Sequence, residues 1–153
     1  MTYTTIKLDS FSVVGLAVRT TNQSGQSQRD IGELWQRFFK EHIIEKILDK
    51  INDDIYCIYT DYESDMDGAY TAVLGCRVKS LQKIPEGLSG KLIPKASYRL
   101  YKSKGKMPGS LLATWKDIWQ SSIQRQYLAD FDVYRQKPDD TTEPEVETYV
   151  SVQ

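Results

Sequence analysis

Leu34-Trp-Gln-Arg-Phe-Phe39, followed by Ile55-Tyr-Cys-Ile-Tyr59, determines the fold, because this order returns in the second half of the chain. The later pair is Leu111-Leu-Ala-Thr-Trp-Lys-Asp-Ile-Trp119 and Phe131-Asp-Val-Tyr134. Each first stretch has apolar residues at helical spacing, with a Trp followed four residues later by another aromatic. Each second stretch is typical of a strand and ends in Tyr. The sequence therefore predicts two related units.

Each predicted unit has four elements in the order strand, helix, strand, strand. The predicted elements of the first unit are a strand at 11–19, a helix from a capping box of Ser27 and Asp30 to near Asn52, and strands at 55–59 and 69–78. Those of the second unit are a strand at 92–101, a helix with Pro108 in its first turn, and strands at 131–134 and 146–152, joined by a polar loop containing Pro138, Asp139, Asp140 and Pro144. The segment 81–90 is rich in Pro and Gly and separates the units, so the halves are about 5–80 and 91–153.

The predicted fold class is α+β, with residues 1–153 forming a single domain. Two such units most easily pool their strands into one curved antiparallel sheet, because each helix has one apolar stripe that must be covered. Both helices then pack on one face, and we expect a ligand cleft between the halves on the other face.

Composition excludes several classes of function. The chain has 20 Lys+Arg and 21 Asp+Glu, so we expect no direct nucleic acid partner. No run of about 18 apolar residues suggests a membrane span, and the N-terminus does not resemble a signal peptide, which indicates a cytoplasmic protein. Cys57 and Cys76 have no metal-binding spacing, and the acidic stretch 61–67 lacks the spacing of an EF-hand, so a hairpin loop is favoured over a metal site. No cofactor motif is present, and we expect no cofactor.

The last two predicted strands supply the candidate site. Side chains alternate along a strand, and the valine side of the final strand belongs against the helices. We therefore expect Glu147, Tyr149, Asp132 and Tyr134 to project together from the other side of the sheet. Aromatic faces with a carboxylate at their base are what an organic cation requires. The alternative is that both carboxylates are solvated strand residues on an open sheet face.

Two tryptophans are further candidates. Trp35 and Trp115 lie on apolar helical stripes, where an aromatic residue is more often part of the core than of a ligand wall. One of them can still reach the cleft.

Six segments in this order resemble the GyrI-like effector-binding superfamily, especially its integron-associated and AraC-type effector-binding branch. They are Val13-Val-Gly-Leu-Ala-Val-Arg19, Leu34-Trp-Gln-Arg-Phe-Phe39, Ile58-Tyr-Thr-Asp-Tyr-Glu-Ser-Asp65, Gly68-Ala-Tyr-Thr-Ala-Val-Leu-Gly75, Phe131-Asp-Val-Tyr134 and Val146-Glu-Thr-Tyr-Val-Ser-Val152. The resemblance implies the duplicated fold, and it implies multidrug binding of bulky, often cationic compounds between the halves.

The resemblance also implies particular site residues. Glu147 and Tyr149 match acidic and aromatic positions of the last strand, and Tyr59 and Tyr70 match aromatic positions of the first half. Asp132 falls where many relatives have Glu, and its shorter side chain changes the reach of the carboxylate.

Three functions follow as hypotheses. The first is stand-alone binding of a hydrophobic, cationic small molecule, as a sensor or sequestering agent in transcription regulation. The second is a small-molecule hydrolase with Glu147 as general base and Tyr149 or Tyr59 polarising the substrate. The third is a protein-interaction role such as gyrase inhibition, with a protein partner or a homodimer. Because the ligand domain uses all 153 residues, we expect no helix-turn-helix and not a complete one-component transcription factor.

Overall fold

The computed structural model describes residues 2–135 and 145–153. Within these residues the chain forms eight strands and three α-helices. The elements are β1 (Thr4–Leu8), β2 (Phe11–Thr21), α1 (Gln26–Lys40), α2 (Ile43–Lys46), β3 (Ile55–Thr60), β4 (Ala69–Val78), β5 (Ser89–Ile93), β6 (Ala96–Lys104), α3 (Gly109–Gln120), β7 (Ala129–Tyr134) and β8 (Glu145–Val152). The polar loop predicted around Pro138, Asp139, Asp140 and Pro144 lies outside the described residues. No helix in the described ranges is long and apolar enough to cross a membrane.

The strands form one antiparallel sheet in the order β1-β6-β8-β7-β3-β4-β2-β5. The predicted α+β class with a shared antiparallel sheet is confirmed. β2, β4 and β3 occupy the same relative positions in one half as β6, β8 and β7 do in the other, and β3 and β7 meet at the centre. The element order and the strand order thus repeat together.

Each half has one strand more than the sequence predicted. β1 precedes β2 along the chain but pairs with β6, and β5 precedes β6 but pairs with β2. The first strand of each half therefore pairs with a strand of the other half and forms an edge of the sheet. The sequence hid these strands because most side chains of Thr4–Leu8 are exposed, and because the predicted strand at 92–101 spans two strands separated at Pro94.

The first helix is shorter than predicted and begins differently. Gly25, with φ of 70°, caps α1, and Ser27 lies inside the helix without capping it, so the predicted capping box is wrong. α1 ends at Lys40, because His42 adopts a left-handed conformation with φ of 52°. The helical spacing continues past this break because Ile43 and Ile47 still bury their side chains against the sheet.

The sheet face opposite the helices is closed rather than open. Phe11, Tyr98, Phe131 and Tyr149 are all buried there. The ring centres of Phe11 and Phe131 are 5.3 Å apart, although three strand spacings of about 4.8 Å separate β2 from β7 in the sheet. Only strong curvature brings them together. The expectation that this face forms the ligand cleft is wrong. The face is concave, and buried aromatic side chains pack together in it.

Two glycines allow a close approach of strands β2 and β4. Gly15 and Gly75 are direct register partners. A Cβ added to Gly15 would lie 2.0 Å from the Leu74 carbonyl oxygen, and one on Gly75 would lie 2.0 Å from that of Val14. No side chain larger than hydrogen fits between these strands.

Candidate functional site

A cavity of about 240 Å³ lies between α1 and α3, on the helix-bearing face of the sheet. Its lining is apolar and aromatic and comes from both halves of the chain. The lining residues are Trp35 of α1, Tyr134 of β7, Leu111 of α3, and Met107 and Pro108 just before α3. We call this cavity, together with the polar cluster of Asp132, Tyr59 and Thr148 on the same face of the sheet, the inter-helix cleft.

Asp132 is the central polar group of the cleft, lying behind the cavity wall rather than among the residues that line it. It lies on β7 two residues before Tyr134, so both side chains point to the helix-bearing face. Its exposed fraction is 0%. Oδ1 accepts a hydrogen bond from the Thr148 hydroxyl at 2.5 Å, and Oδ2 accepts one from the Tyr59 hydroxyl at 2.7 Å. The indole N–H of Trp115 lies 3.1 Å and 3.2 Å from the two oxygens.

All three donors to Asp132 are electrically neutral. Among residues 2–135 and 145–153, no ion pair involves this carboxyl group. Burial raises the pKa of Asp132 to about 6, although the hydrogen bonds from Thr148, Tyr59 and Trp115 act to lower it. At neutral pH the cleft therefore holds a buried negative charge that is hydrogen-bonded but not neutralised.

Aromatic rings surround this charge. Tyr59 meets Trp115 edge to face at 5.6 Å and Tyr70 at 6.0 Å. Burial raises the pKa of Tyr59 well above its usual range, so its hydroxyl stays protonated and continues to donate to Asp132. Tyr70 donates in turn to the Asn22 side chain at 2.8 Å.

The two tryptophans hold matching positions in the two halves. Trp35 of the first half meets Tyr134 of the second edge to face at 4.9 Å, and Trp115 of the second half meets Tyr59 of the first at 5.6 Å. Each helix thus packs its Trp against the tyrosine of the other half's central strand. The two differ in polarity, because only Trp115 donates to Asp132.

Glu147 and Tyr149 lie on the opposite face of the sheet. In the β7–β8 register, Asp132 faces Thr148, whereas Val133 faces Glu147. The expectation that Glu147, Tyr149, Asp132 and Tyr134 share one face is therefore wrong. The separate alternation of each strand was correct, but sequence gave no register between them.

The Glu147 carboxylate belongs to a charged cluster outside the cleft. It accepts from Nη2 of Arg135 at 2.7 Å, while Nη1 of Arg135 contacts Asp54 at 3.0 Å. The Tyr149 hydroxyl also donates to Glu147, at 3.2 Å, and its ring stacks on Phe131 at 4.7 Å. A base bound to a guanidinium and remote from the cavity does not have the geometry that the hydrolase hypothesis requires.

Sequence reasoning missed a second buried carboxylate. Asp130 shares the face of Asp132, has an exposed fraction of 0%, and pairs with Nη2 of Arg125 at 2.7 Å. The Tyr62 hydroxyl donates to it at 2.6 Å. The signal was the spacing of two aspartates two residues apart in one strand. The cavity-lining residues Met107, Pro108 and Leu111 carried no signal beyond apolar character.

A larger surface depression of about 670 Å³ lies away from these groups. Glu45, Lys46, Leu48, Gln82, Lys83, Ile84 and Pro85 line it. It contains no aromatic ring and no buried charge, so it lacks the recognition groups that the inter-helix cleft combines.

Comparison with known proteins identifies the family. The sequence model described as integron-associated effector binding protein (Cass2) matches residues 5–152. The chain belongs to this family. It is 27% identical over 151 residues to YobU of Bacillus subtilis (strain 168), a candidate transcriptional regulator, and the match covers 95% of this chain and 94% of YobU.

Solved structures of relatives have the same fold. The integron cassette protein VCH_CASS2 from the mobile metagenome of Vibrio cholerae is 27% identical, with a TM-score of 0.77 over 99% of this chain and 95% of that one. SAV2435, whose structure has tetraphenylphosphonium bound, is 20% identical, with a TM-score of 0.80 over 100% of this chain and 94% of that one. This effector-binding family membership agrees with the resemblance seen in the sequence.

Proposed function

We propose that this protein binds a hydrophobic organic cation in the inter-helix cleft and acts as a sensor or sequestering module in transcription regulation. The observation that carries the proposal is Asp132, a fully buried carboxylate held by three neutral donors on the same strand face as Tyr134, which lines the apolar cavity. The proposed ligand-binding residues are Asp132, Tyr59, Tyr70, Trp35, Trp115 and Tyr134.

The electrostatics favour a cation. A buried ionised carboxylate is costly unless it is paired, and a ligand cation would supply the missing countercharge. Each ring face that contacts the cation contributes about 0.5–2 kcal/mol. Tyr59, Trp115 and Thr148 hold the carboxylate in place before the ligand arrives, so little ordering accompanies binding.

The cavity sets a condition on binding. Its volume of about 240 Å³ is smaller than the roughly 300–1,000 Å³ of most small-molecule sites. Bulky cations therefore require the walls at Trp35 and Leu111 to separate. Both side chains are only half-buried, which permits such movement without breaking the main core.

The relatives support the ligand class and the regulatory role. A structure of the same fold has tetraphenylphosphonium bound, and YobU, matched over 94% of its length, is a candidate transcriptional regulator. Glu147 and Tyr149 are not included in the proposed site, because they lie on the opposite face.

The test is a titration with two probes of the same shape and opposite charge, tetraphenylphosphonium and tetraphenylborate, followed by quenching of tryptophan fluorescence. We expect the wild type to prefer the phosphonium. Asp132→Asn should weaken phosphonium binding by about tenfold or more, the effect of removing one close countercharge.

Two variants serve as controls for that titration. Asp117→Asn removes the same charge from an exposed position of α3 and should leave the preference intact. Glu147→Gln should change phosphonium affinity by less than about twofold, because its carboxylate is on the other face. Equal binding of both probes by the wild type, or an unaltered preference in Asp132→Asn, contradicts the proposal.

A further inference from the structure

Asp130 is a second acidic position on the cleft side of β7. It and Asp132 are two residues apart on one strand face, so their Cα atoms lie roughly 7 Å apart. Both have an exposed fraction of 0%. Neutral donors bind both carboxylates, Tyr62 and Ser151 at Asp130 and Tyr59 and Thr148 at Asp132, but a guanidinium pairs with Asp130 alone of the two.

Arg125 forms an ion pair with Asp130, and aromatic rings lie next to its guanidinium. Its side chain is only 6% exposed, and Nη2 contacts Oδ2 of Asp130 at 2.7 Å. Its Cζ atom lies 4.3 Å from the ring centre of Tyr127 and 5.9 Å from that of Trp115. The chain's own cation is therefore held by a carboxylate and ring faces. This is the chemistry proposed above for a ligand at Asp132.

Trp115 joins the two acidic positions. Its indole N–H donates to Asp132, while its ring lies near the guanidinium of Arg125. A group bound at Asp132 therefore shares a wall with Arg125. A second positive charge on that group would meet the guanidinium across a short, water-poor distance, where like charges repel strongly.

We propose that Arg125 is the specificity-determining residue of the inter-helix cleft, occupying one of its two acidic positions so that the cleft selects ligands with a single positive charge. This inference rests on the proposed function. Burial acts to lower the pKa of Arg125, but Asp130 and Tyr62 raise it overall, so the guanidinium stays charged at physiological pH. Asp130 therefore stays paired, and the unpaired negative charge of the cleft is that of ionised Asp132.

Arg125 could serve only to anchor segment 121–128 to Asp130. That structural role does not by itself explain why the residue is an arginine. Nε and Nη1 of Arg125 are buried without a hydrogen-bond partner in the described part of the chain. A buried donor without a partner destabilises the folded state. A neutral side chain at this position would avoid these two orphaned groups, but it would leave the charge of Asp130 without a countercharge.

The test compares two planar probes of similar shape, N-methyl-4-phenylpyridinium with one charge and N,N′-dimethyl-4,4′-bipyridinium with two. The two charges of the latter are separated by roughly the spacing of alternate strand residues, about 7 Å. The readout is the ratio of dication to monocation affinity, measured by calorimetry on the full chain. We expect a low ratio in the wild type and a rise of about tenfold or more in Arg125→Met and Arg125→Gln.

A double variant isolates the charge. Arg125→Met combined with Asp130→Asn removes both members of the pair, and it should return the ratio to within about twofold of the wild-type value. Arg125→Gln keeps a polar side chain without the charge, so it provides the measurement if Arg125→Met does not fold. Circular dichroism establishes folding of each variant.

The outcomes separate the two proposals. If the wild type shows no preference for tetraphenylphosphonium over tetraphenylborate, the proposed function is overturned, and this inference with it. If it shows that preference but binds neither planar probe, only the role of Arg125 is overturned. If the wild type binds the monocation but the ratio is unchanged in a folded Arg125 variant, only the role of Arg125 is overturned. A ratio that stays high in the double variant also contradicts it, because the gain would not depend on Asp130.

Discussion

The hydroxyl of Tyr59 donates a 2.7 Å hydrogen bond to Oδ2 of Asp132, and this contact joins the two halves of the chain at the centre of the sheet. Tyr59 lies on β3 and Asp132 on β7, the central pair of strands. The residue directly opposite Asp132 across this pair is Cys57, whose thiol pKa is raised to about 12, mainly by burial and also by Asp132. The carboxylate thus lies where the halves meet, and one half supplies a donor for the charge of the other.

Tyr59→Phe removes this donor and keeps the ring. We expect the pKa of Asp132 to rise above about 6, because one of the hydrogen bonds that stabilise the charged form is lost. The free energy of unfolding should fall by about 1 kcal/mol at neutral pH. Urea denaturation measures the second effect, and the pH profile of cation binding measures the first. Tyr3→Phe, at an exposed tyrosine, is the matched control and should change neither.

Cation binding should depend on pH through Asp132. Because the proposed ligand binds the ionised carboxylate, affinity should be constant at high pH and fall as the pH drops through about 6. Below that value the loss approaches tenfold for each pH unit, as expected for one proton. Fluorescence titrations between pH 5 and pH 8 measure it. In Asp132→Asn the weak residual binding should not vary over this range; a wild-type profile that is equally flat would contradict the assignment.

The stability of the folded chain should show the opposite dependence. The pKa of Asp132 is raised from 3.8 in the unfolded reference to about 6, so between these values the folded state binds the proton and the unfolded state does not. Raising the pH through this window therefore destabilises the protein, by up to about 3 kcal/mol for a shift of this size. Asp132→Asn lacks this term. Its advantage in free energy of unfolding over the wild type should be largest above pH 6 and shrink towards pH 4, as measured by chemical denaturation.

Sequence patterns predicted the repeated units and the antiparallel sheet because helical and strand periodicities depend on burial, which every buried element of this fold displays. β1 was not predicted because the side chains of Thr4–Leu8 are mostly exposed. The helix break at His42 was not predicted because the apolar spacing continues across it. The spacing of apolar residues indicates which side of an element is buried. It does not indicate where the chain turns.

The site was only half predictable for a related reason. Alternation correctly paired Asp132 with Tyr134 and Glu147 with Tyr149. Whether the two pairs share a face depends on the register between β7 and β8, and a shift of one residue reverses every side chain. The role of Asp130 could not be predicted either. Its partner Arg125 lies in an irregular segment, and no periodicity specifies the position of such a segment.

Gly75→Ala should prevent normal closure of the sheet. The new Cβ would lie 2.0 Å from the carbonyl oxygen of Val14, a backbone atom in a strand pair that runs over ten register partners. We expect a loss of more than about 3 kcal/mol, because overpacking against backbone at this distance exceeds the usual cost of a misfitting side chain. Gly32→Ala is the matched control. Nothing lies within 4 Å of its added Cβ in α1, so thermal denaturation should show a gain of up to about 1 kcal/mol.

Trp35→Phe and Trp115→Phe provide a matched test of the cleft walls, since both residues meet a tyrosine of the opposite half edge to face. Trp35 is half-buried and lines the cavity, so its loss should weaken phosphonium binding by about threefold to tenfold with little change in unfolding free energy. Trp115 also donates to Asp132, and its loss should lower stability by about 1–3 kcal/mol and shift the pH profile of binding upwards.

Calorimetry and denaturation of both variants separate the two effects. Identical behaviour of the two variants would show that the Trp115 hydrogen bond has no role in holding the carboxylate. The difference between the variants therefore measures what the indole N–H adds to the ring that both tryptophans supply.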